Sequence, residues 1–226
     1  NGKNGKNGKN DVRTTTNPSA WFNRGLAHST MGNKTEAVAL MEKALALNID
    51  SQANVYAYMA QELMEIEYLH NQNNRQALSL TEKNRSKQLE RILFLTDKAL
   101  RLQCVLPLLH FTRGNVYHEL QMYNQSISSY GTALIMNKNP YLEPGTKQSD
   151  CDMLNQLGLT HQSRALPNHD VHLAIEMFEA CLSLDSHRFE PMVNVGVAYT
   201  EIGELDKAQK VYQRALAIAP NDFALL

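Results

Sequence analysis

The chain has 226 residues, 43% of them hydrophobic, and a formal net charge of −1. That balance supplies no global field to draw it to nucleic acid or an anionic membrane. Its longest apolar runs fall far short of the roughly 18 residues a membrane-spanning helix needs. Residues 1–16 open with Asn-Gly-Lys three times over and continue through Thr14 to Thr16. With nothing apolar beyond Val12, this tract cannot repay the entropy of ordering, so a disordered linker is expected, the alternative being a docking tail.

Order is predicted to begin at Asn17-Pro18, an N-cap followed by Pro at the first helical position. From 17 to 226 the chain reads as about five helical hairpins. The first covers 18–51, with its turn at Gly32-Asn33-Lys34 and Thr35 capping the second helix. The second, 52–106, is roughly 20 residues too long. It places Tyr56, Met59, Ala60, Leu63 and Met64 on one face, then an Asn-rich break at Asn71–Asn74 and a long helix reaching Leu100. The third covers 107–140, with Gly114, Tyr117, Ser126, Tyr130 and Ala133 in strict register. A Pro/Gly-containing loop from Pro140 to Ser149 follows. The fourth, 151–188, starts near Cys151 and holds an extra loop from Arg164 to Asp170. The fifth covers 189–222, after which 222–226 read as the start of a further helix. The chain does not begin with Met and reads as a piece of something longer.

One spacing runs through these hairpins. From Gly25 the next small residues lie 12 and then 7 positions on, at Ala37 and Ala44. The same steps lead from Gly196 to Ala208 and Ala215, and from Gly114 to Ser126 and Ala133. Small residues at fixed offsets let two helices approach closely, with Ala37, Ala174 and Ala208 expected to meet the glycines. Tyr117, Tyr130, Phe178, Tyr199 and Tyr212 are expected to fill the space between. Cys181 stands where a small buried residue is wanted and reads as a small hydrophobe. Three cysteines at wide spacing do not suggest a disulfide framework. A reducing compartment, cytoplasmic or nuclear and not secreted, is therefore expected. The sequons at Asn33, Asn84 and Asn124 are about as many as chance provides in so Asn-rich a chain.

This pattern resembles the tetratricopeptide repeat, whose signature is Trp-x2-Leu-Gly-x2-Tyr…Ala-x3-Phe…Pro. The copies at 18–51, 107–140 and 189–222 are clean, and those at 52–106 and 151–188 match with insertions. Arg24 and Arg113 depart from the usual Leu. The resemblance implies an all-α, right-handed α-α superhelix whose first helices line a concave, ligand-binding face. Counted from each Gly, the positions it assigns to that groove are Phe22, Asn23, Leu26, Phe111, Asn115, His118, Asn155, Gln156, Gln162, Asn194 and Val197. Amides carry both donors and acceptors and can satisfy the main chain of an extended peptide whatever its sequence. The function implied is a protein–protein interaction scaffold that binds a partner's peptide segment, without catalysis or cofactor. The alternative is the substrate-recruiting region of a larger enzyme, such as a glycosyltransferase or hydroxylase, with its catalytic domain outside this sequence.

Two subfamily patterns can be tested on these positions. The carboxylate clamp of co-chaperone repeats needs Lys, Asn and Arg in the groove, whereas Phe22 and Leu26 stand at the first-repeat positions. The Asn ladder of O-linked N-acetylglucosamine transferase is matched in part, by Asn23, Tyr58, Thr112, Gln156 and Asn194. His169-Asp170-x-His172 has too few ligands for structural zinc, and Asp170 reads better as a helix N-cap. Residues 75–101 are basic. A charged solvent face is the expected reading, with docking of an acidic partner or nucleic acid as the alternative.

Overall fold

The computed structural model describes residues 17–73, 80–138, 147–164 and 169–219. Expectations placed on 1–16, on Asn74, on 139–146, on 165–168 and on 220–226 lie outside them. The described residues form ten helices and no strand, as expected of an all-α chain of helical hairpins. They fall into two compact units, one up to Thr112 and one from Arg113. The first holds α1 (Pro18–Thr30), α2 (Lys34–Ala46), α3 (Gln52–Asn73), α4 (Leu80–Arg101) and the start of α5 (Pro107–Glu119). The second holds the rest of α5, α6 (Tyr123–Asn137), α7 (Lys147–Ser163), α8 (His169–Leu184), α9 (Phe189–Glu201) and α10 (Leu205–Ile218).

Helix ends follow from local chemistry. Asn17 Oδ1 accepts from the amides of Ser19 and Ala20 at 3.0 and 3.4 Å, with Pro18 behind it, as the sequence predicts. The turn inside a hairpin needs one left-handed residue, seven positions after the hairpin's glycine. Gly32 and Gly203 supply it with φ of 80° and 81°, and Gln121 does so at 57°. There the chain folds back through bonds such as Asn33 N–H to His28 C=O, 2.9 Å, the left-handed closure common at helix C-termini.

Packing explains the small-residue code, with one correction. The glycines of the second unit do not chiefly meet the expected alanines. A Cβ on Gly114 would overlap the Tyr130 ring, one on Gly158 the Phe178 ring, and one on Gly196 the Tyr212 ring. The aromatic residue of the second helix thus lies flat over a bare backbone on the first. Gly25 is the exception, approached by the Ala37 carbonyl and Met41 Cγ, both at 3.2 Å. Around these contacts Ala174, Ile175, Phe178, Val195, Ala198, Tyr199 and Ala208 form one buried core. In the first unit Ala57, Ala99, Cys104 and Leu109 form another.

Several local expectations are overturned. Asn71–Asn73 do not break the chain but finish α3. The second hairpin's surplus therefore lengthens both helices, to 22 residues each. Asn costs only a few tenths of a kcal/mol more than Ala in a helix. Thr35 does not cap α2, which begins one residue earlier at Lys34 with Asn33 as its cap residue. Lys147–Ser149, assigned to a loop, already belong to α7, and His169 and Asp170 to α8. Asp170 is 2% exposed, and its carboxylate takes both Nε and Nη2 of Arg164, at 2.8 and 2.5 Å. It anchors the end of α7 rather than capping a helix at the surface.

Cys181 is buried as expected, but it is paired: Cys151 and Cys181 form a disulfide that closes the fourth hairpin. Odd count and wide spacing concealed it, because the pairing joins the first turn of α7 to the last turns of α8. Only the fold brings those together. Cys104 is free and buried. The pairing removes the ground on which the cysteines pointed to a reducing compartment.

Candidate functional site

The groove positions predicted from the repeat register separate by unit. In the first, α1 presents Phe22 and Leu26, both half-buried, and the exposed Asn23. The Phe22 ring meets Tyr58 of α3 at 5.9 Å, tilted by 55°. Beside this aromatic pair Glu62, 2% exposed, accepts from Ser29 Oγ at 2.6 Å and receives Lys34 Nζ at 3.2 Å. Lys34 also reaches Glu65 at 2.5 Å, and Gln61 donates to the same carboxylate at 3.1 Å. A buried carboxylate persists only when paired and hydrogen-bonded, so this cluster locks the turn of the first hairpin onto α3. Phe111, on the part of α5 within this unit, is half-buried, whereas the neighbouring Thr112 is buried and offers nothing to a ligand.

In the second unit the predicted amides divide into two roles. Asn115 and His118, on the end of α5, are engaged by the scaffold. Asn115 Oδ1 accepts from the Tyr130 hydroxyl at 2.6 Å, and His118 Nδ1 lies 2.9 Å from Thr160 Oγ1. Burial lowers the His118 pKa and holds the ring neutral at neutral pH, with Glu119 opposing the shift. Burial likewise pushes the Tyr130 phenol up. These two positions are packing residues first.

Three of the remaining amides, Asn155, Gln162 and Asn194, join neighbouring first helices. Asn194 on α9 donates to Asn155 on α7 at 2.9 Å, and Asn155 donates to Glu190 at 3.2 Å. Gln162 donates to Glu201 at 2.7 Å, and Arg188 is paired with Asp152. Asn155 is buried, Gln156, Gln162 and Asn194 are half-buried, and Val197 is 40% exposed. Glu190, Asn194, Val197 and Glu201 recur at steps of four, three and four, one face of a 3.6-residue helix. Asp152, Asn155, Leu159 and Gln162 make the matching stripe on α7. Sequence reasoning found the amides and missed the acids beside them. The same spacing read outward from Asn194 would have located both Glu190 and Glu201.

Three basic residues of α4 meet partners within the chain. Arg85 meets Glu67 at 3.2 Å, Arg91 meets Glu42 at 2.7 Å, and Lys98 Nζ lies over the Tyr56 and Phe94 rings at 5.2 and 4.8 Å. Among the described residues no helix is long and apolar enough to cross a membrane, and no group of three or more His, Cys, Asp or Glu could hold a metal ion.

Comparisons with known proteins agree with this geometry. The tetratricopeptide repeat profile matches residues 18–51, and a second profile of the same repeat matches 165–226. Among solved structures the chain is similar to YrrB, described as a TPR protein with an unusual peptide-binding site. The two are 19% identical with a TM-score of 0.62 over 95% of this chain and 92% of that one. It is also similar to MamA from Desulfovibrio magneticus RS-1, at 12% identity and a TM-score of 0.64 over 91% and 97% of the two chains. No curated protein matches. Repeat matches at both ends, helical hairpins in one register and a shared fold lead to one conclusion: residues 18–51 and 165–226 carry tetratricopeptide repeats, in a chain with the fold of tetratricopeptide-repeat solenoids.

Proposed function

We propose that this protein is an interaction scaffold that holds an extended peptide segment of a partner along the first-helix face of its hairpins. The observation that carries this reading is the pair of aligned stripes on α7 and α9, with half-buried amides beside an exposed Val197. Half-buried amides present donors and acceptors that are already oriented, so the cost of ordering falls mainly on the ligand. Peptide binding in the similar YrrB, named in its description, agrees with the reading. In the first unit, by itself, the Phe22–Tyr58 pair, with Asn23 and Leu26, offers an apolar anchor. Recruitment of a substrate to a larger enzyme would use the same face. The partners this face would take are proteins or peptides.

The test uses Gln156→Ala with Asn194→Ala, which occupy one repeat position in two hairpins. An array of extended peptides is probed with wild type and variant at equal concentration. Binding to the wild type's best peptides is expected to fall on the order of tenfold, for two hydrogen bonds of about 0.5–1 kcal/mol each. The helical signal should be retained. Undiminished binding by a folded variant overturns the assignment of this face.

A further inference from the structure

The α7–α9 face is polarised from end to end. The two stripes are tied in register at Asp152–Arg188, Asn155–Glu190 and Gln162–Glu201. The helices therefore run parallel, with both C-termini at the same edge. Both helices direct the negative end of their macrodipole to this edge. Glu201, the last residue of α9, stands at this edge, exposed, with Gln162 bound to its Oε1. The cation at the end of α7, Arg164, does not offset it, because Arg164 is held by Asp170 and by Asn124 at 3.0 Å. At the opposite edge the two N-termini are partially positive and oppose the charge of Glu190, while Arg188 there is taken up by Asp152. Glu190 and Glu201 are 11 residues apart, about 16 Å along the helix.

We infer that this face selects a peptide bearing a lysine or arginine seated at the Glu201 edge, its main chain running back over Asn194 toward Glu190. The inference rests on the peptide-binding reading above and names the chemistry of the occupant. The alkyl stem of the cation lies along Val197, as long basic side chains cover apolar surface while keeping their charge in water. The charged head meets the Glu201 carboxylate and the α9 C-terminus together. An acidic side chain in the same place would face both repulsions at once.

The test measures fluorescence anisotropy of labelled Gly/Asn heptapeptides with lysine, acetyl-lysine or glutamate at one position, titrated with the full chain. At low salt the lysine peptide is expected to bind roughly two- to fivefold tighter than the acetyl-lysine peptide, the worth of an exposed ion pair. The preference should vanish in Glu201→Gln, persist in Glu190→Gln, and fade as added salt shortens the screening length. Both variants are isosteric and retain their hydrogen bonds to Gln162 and Asn155, so loss of fold is not a confounding outcome. Equal binding of the lysine and acetyl-lysine peptides overturns the inference. If that binding is still lost in Gln156→Ala with Asn194→Ala, the groove reading survives. A preference that disappears in Glu190→Gln but not in Glu201→Gln refutes the polarity. Absence of binding by every peptide refutes both readings.

Discussion

Replacing each of three glycines in the second unit by alanine separates packing from propensity. Alanine in a helix interior is favoured over glycine by about 1 kcal/mol, so each substitution begins with a gain. Gly131 has nothing within 4 Å of a Cβ placed there, and Gly131→Ala should be stabilised by about 0.5–1 kcal/mol. At Gly114 the new methyl overlaps the ring of Tyr130, which is fully buried and donates its hydroxyl to Asn115 at 2.6 Å. Overpacking of that kind costs about 1–3 kcal/mol, and a ring that shifts also gives up a buried hydrogen bond worth about 1 kcal/mol or more. After the propensity gain, Gly114→Ala should lose about 2 kcal/mol. Gly196 meets Tyr212 as closely, but Tyr212 is only half-buried and can swing outward. Gly196→Ala should therefore stay within about 1 kcal/mol of wild type. Urea unfolding followed by far-UV circular dichroism gives all three values. A Gly114→Ala protein as stable as wild type, or a larger loss at Gly196 than at Gly114, would refute the claim that the glycines serve the rings.

Three further expectations can be checked by the same unfolding measurement. Gln121 holds φ of 57° where two other hairpins use Gly, so Gln121→Gly should stabilise by up to about 1 kcal/mol; a loss would show that the Gln side chain has a role of its own. The Arg164 guanidinium, its strongest influence, holds the Asp170 carboxyl below its usual range against the opposing effect of burial. Asp170 binds its proton less readily folded than unfolded, so its contribution is complete above the ordinary carboxylate range and is lost as pH falls through the lowered value. Arg164→Ala should lose about 3 kcal/mol at neutral pH and show a shallower acid decline than wild type; parallel acid profiles would refute the pairing. The Cys151–Cys181 bond spans 30 residues, and reducing it should lower stability by about 3.6 kcal/mol on chain-entropy grounds. Thiol titration of unreduced, denatured protein should find Cys104 alone, and three reactive thiols would remove the disulfide.

The fold was legible because the repeat code is local. Steps of 12 and 7 between small residues follow from the geometry of a two-helix hairpin, and each copy states them within a few dozen residues. What that code could not reveal is which group meets the glycine, since alanine and tyrosine both stand at fixed offsets from it. Only the side-chain direction along α6 and α10 selects the ring. The long second hairpin was misread for a related reason. Asn71–Asn73 look like punctuation by composition, yet a helix already packed along its neighbour continues through weak formers at small cost. Asp170 and the disulfide are non-local in the same sense. Each depends on residues separated by an insertion whose path the spacing does not fix.

The binding face was legible in position but not in role. Register alone places Asn115, Asn155 and Asn194 on first helices at groove positions, and it does not separate their roles. The structure distinguishes them by what lies opposite. Asn115 faces the hydroxyl of Tyr130 in its own hairpin, whereas Asn155 and Asn194 face each other across two hairpins. An amide bound to a second helix supports the core, so removing it exacts a stability cost before any ligand is present. An amide bound to the next first helix keeps its remaining donor and acceptor sites on the shared face. Asn115→Ala should therefore lower the urea midpoint by removing the 2.6 Å bond from the Tyr130 hydroxyl, a loss of about 0.5–1.5 kcal/mol. Asn194→Ala should lower it less and act on peptide binding instead. If both substitutions act alike on stability, the division between scaffold amides and ligand amides is wrong, and the repeat register would be a sufficient guide to the groove after all.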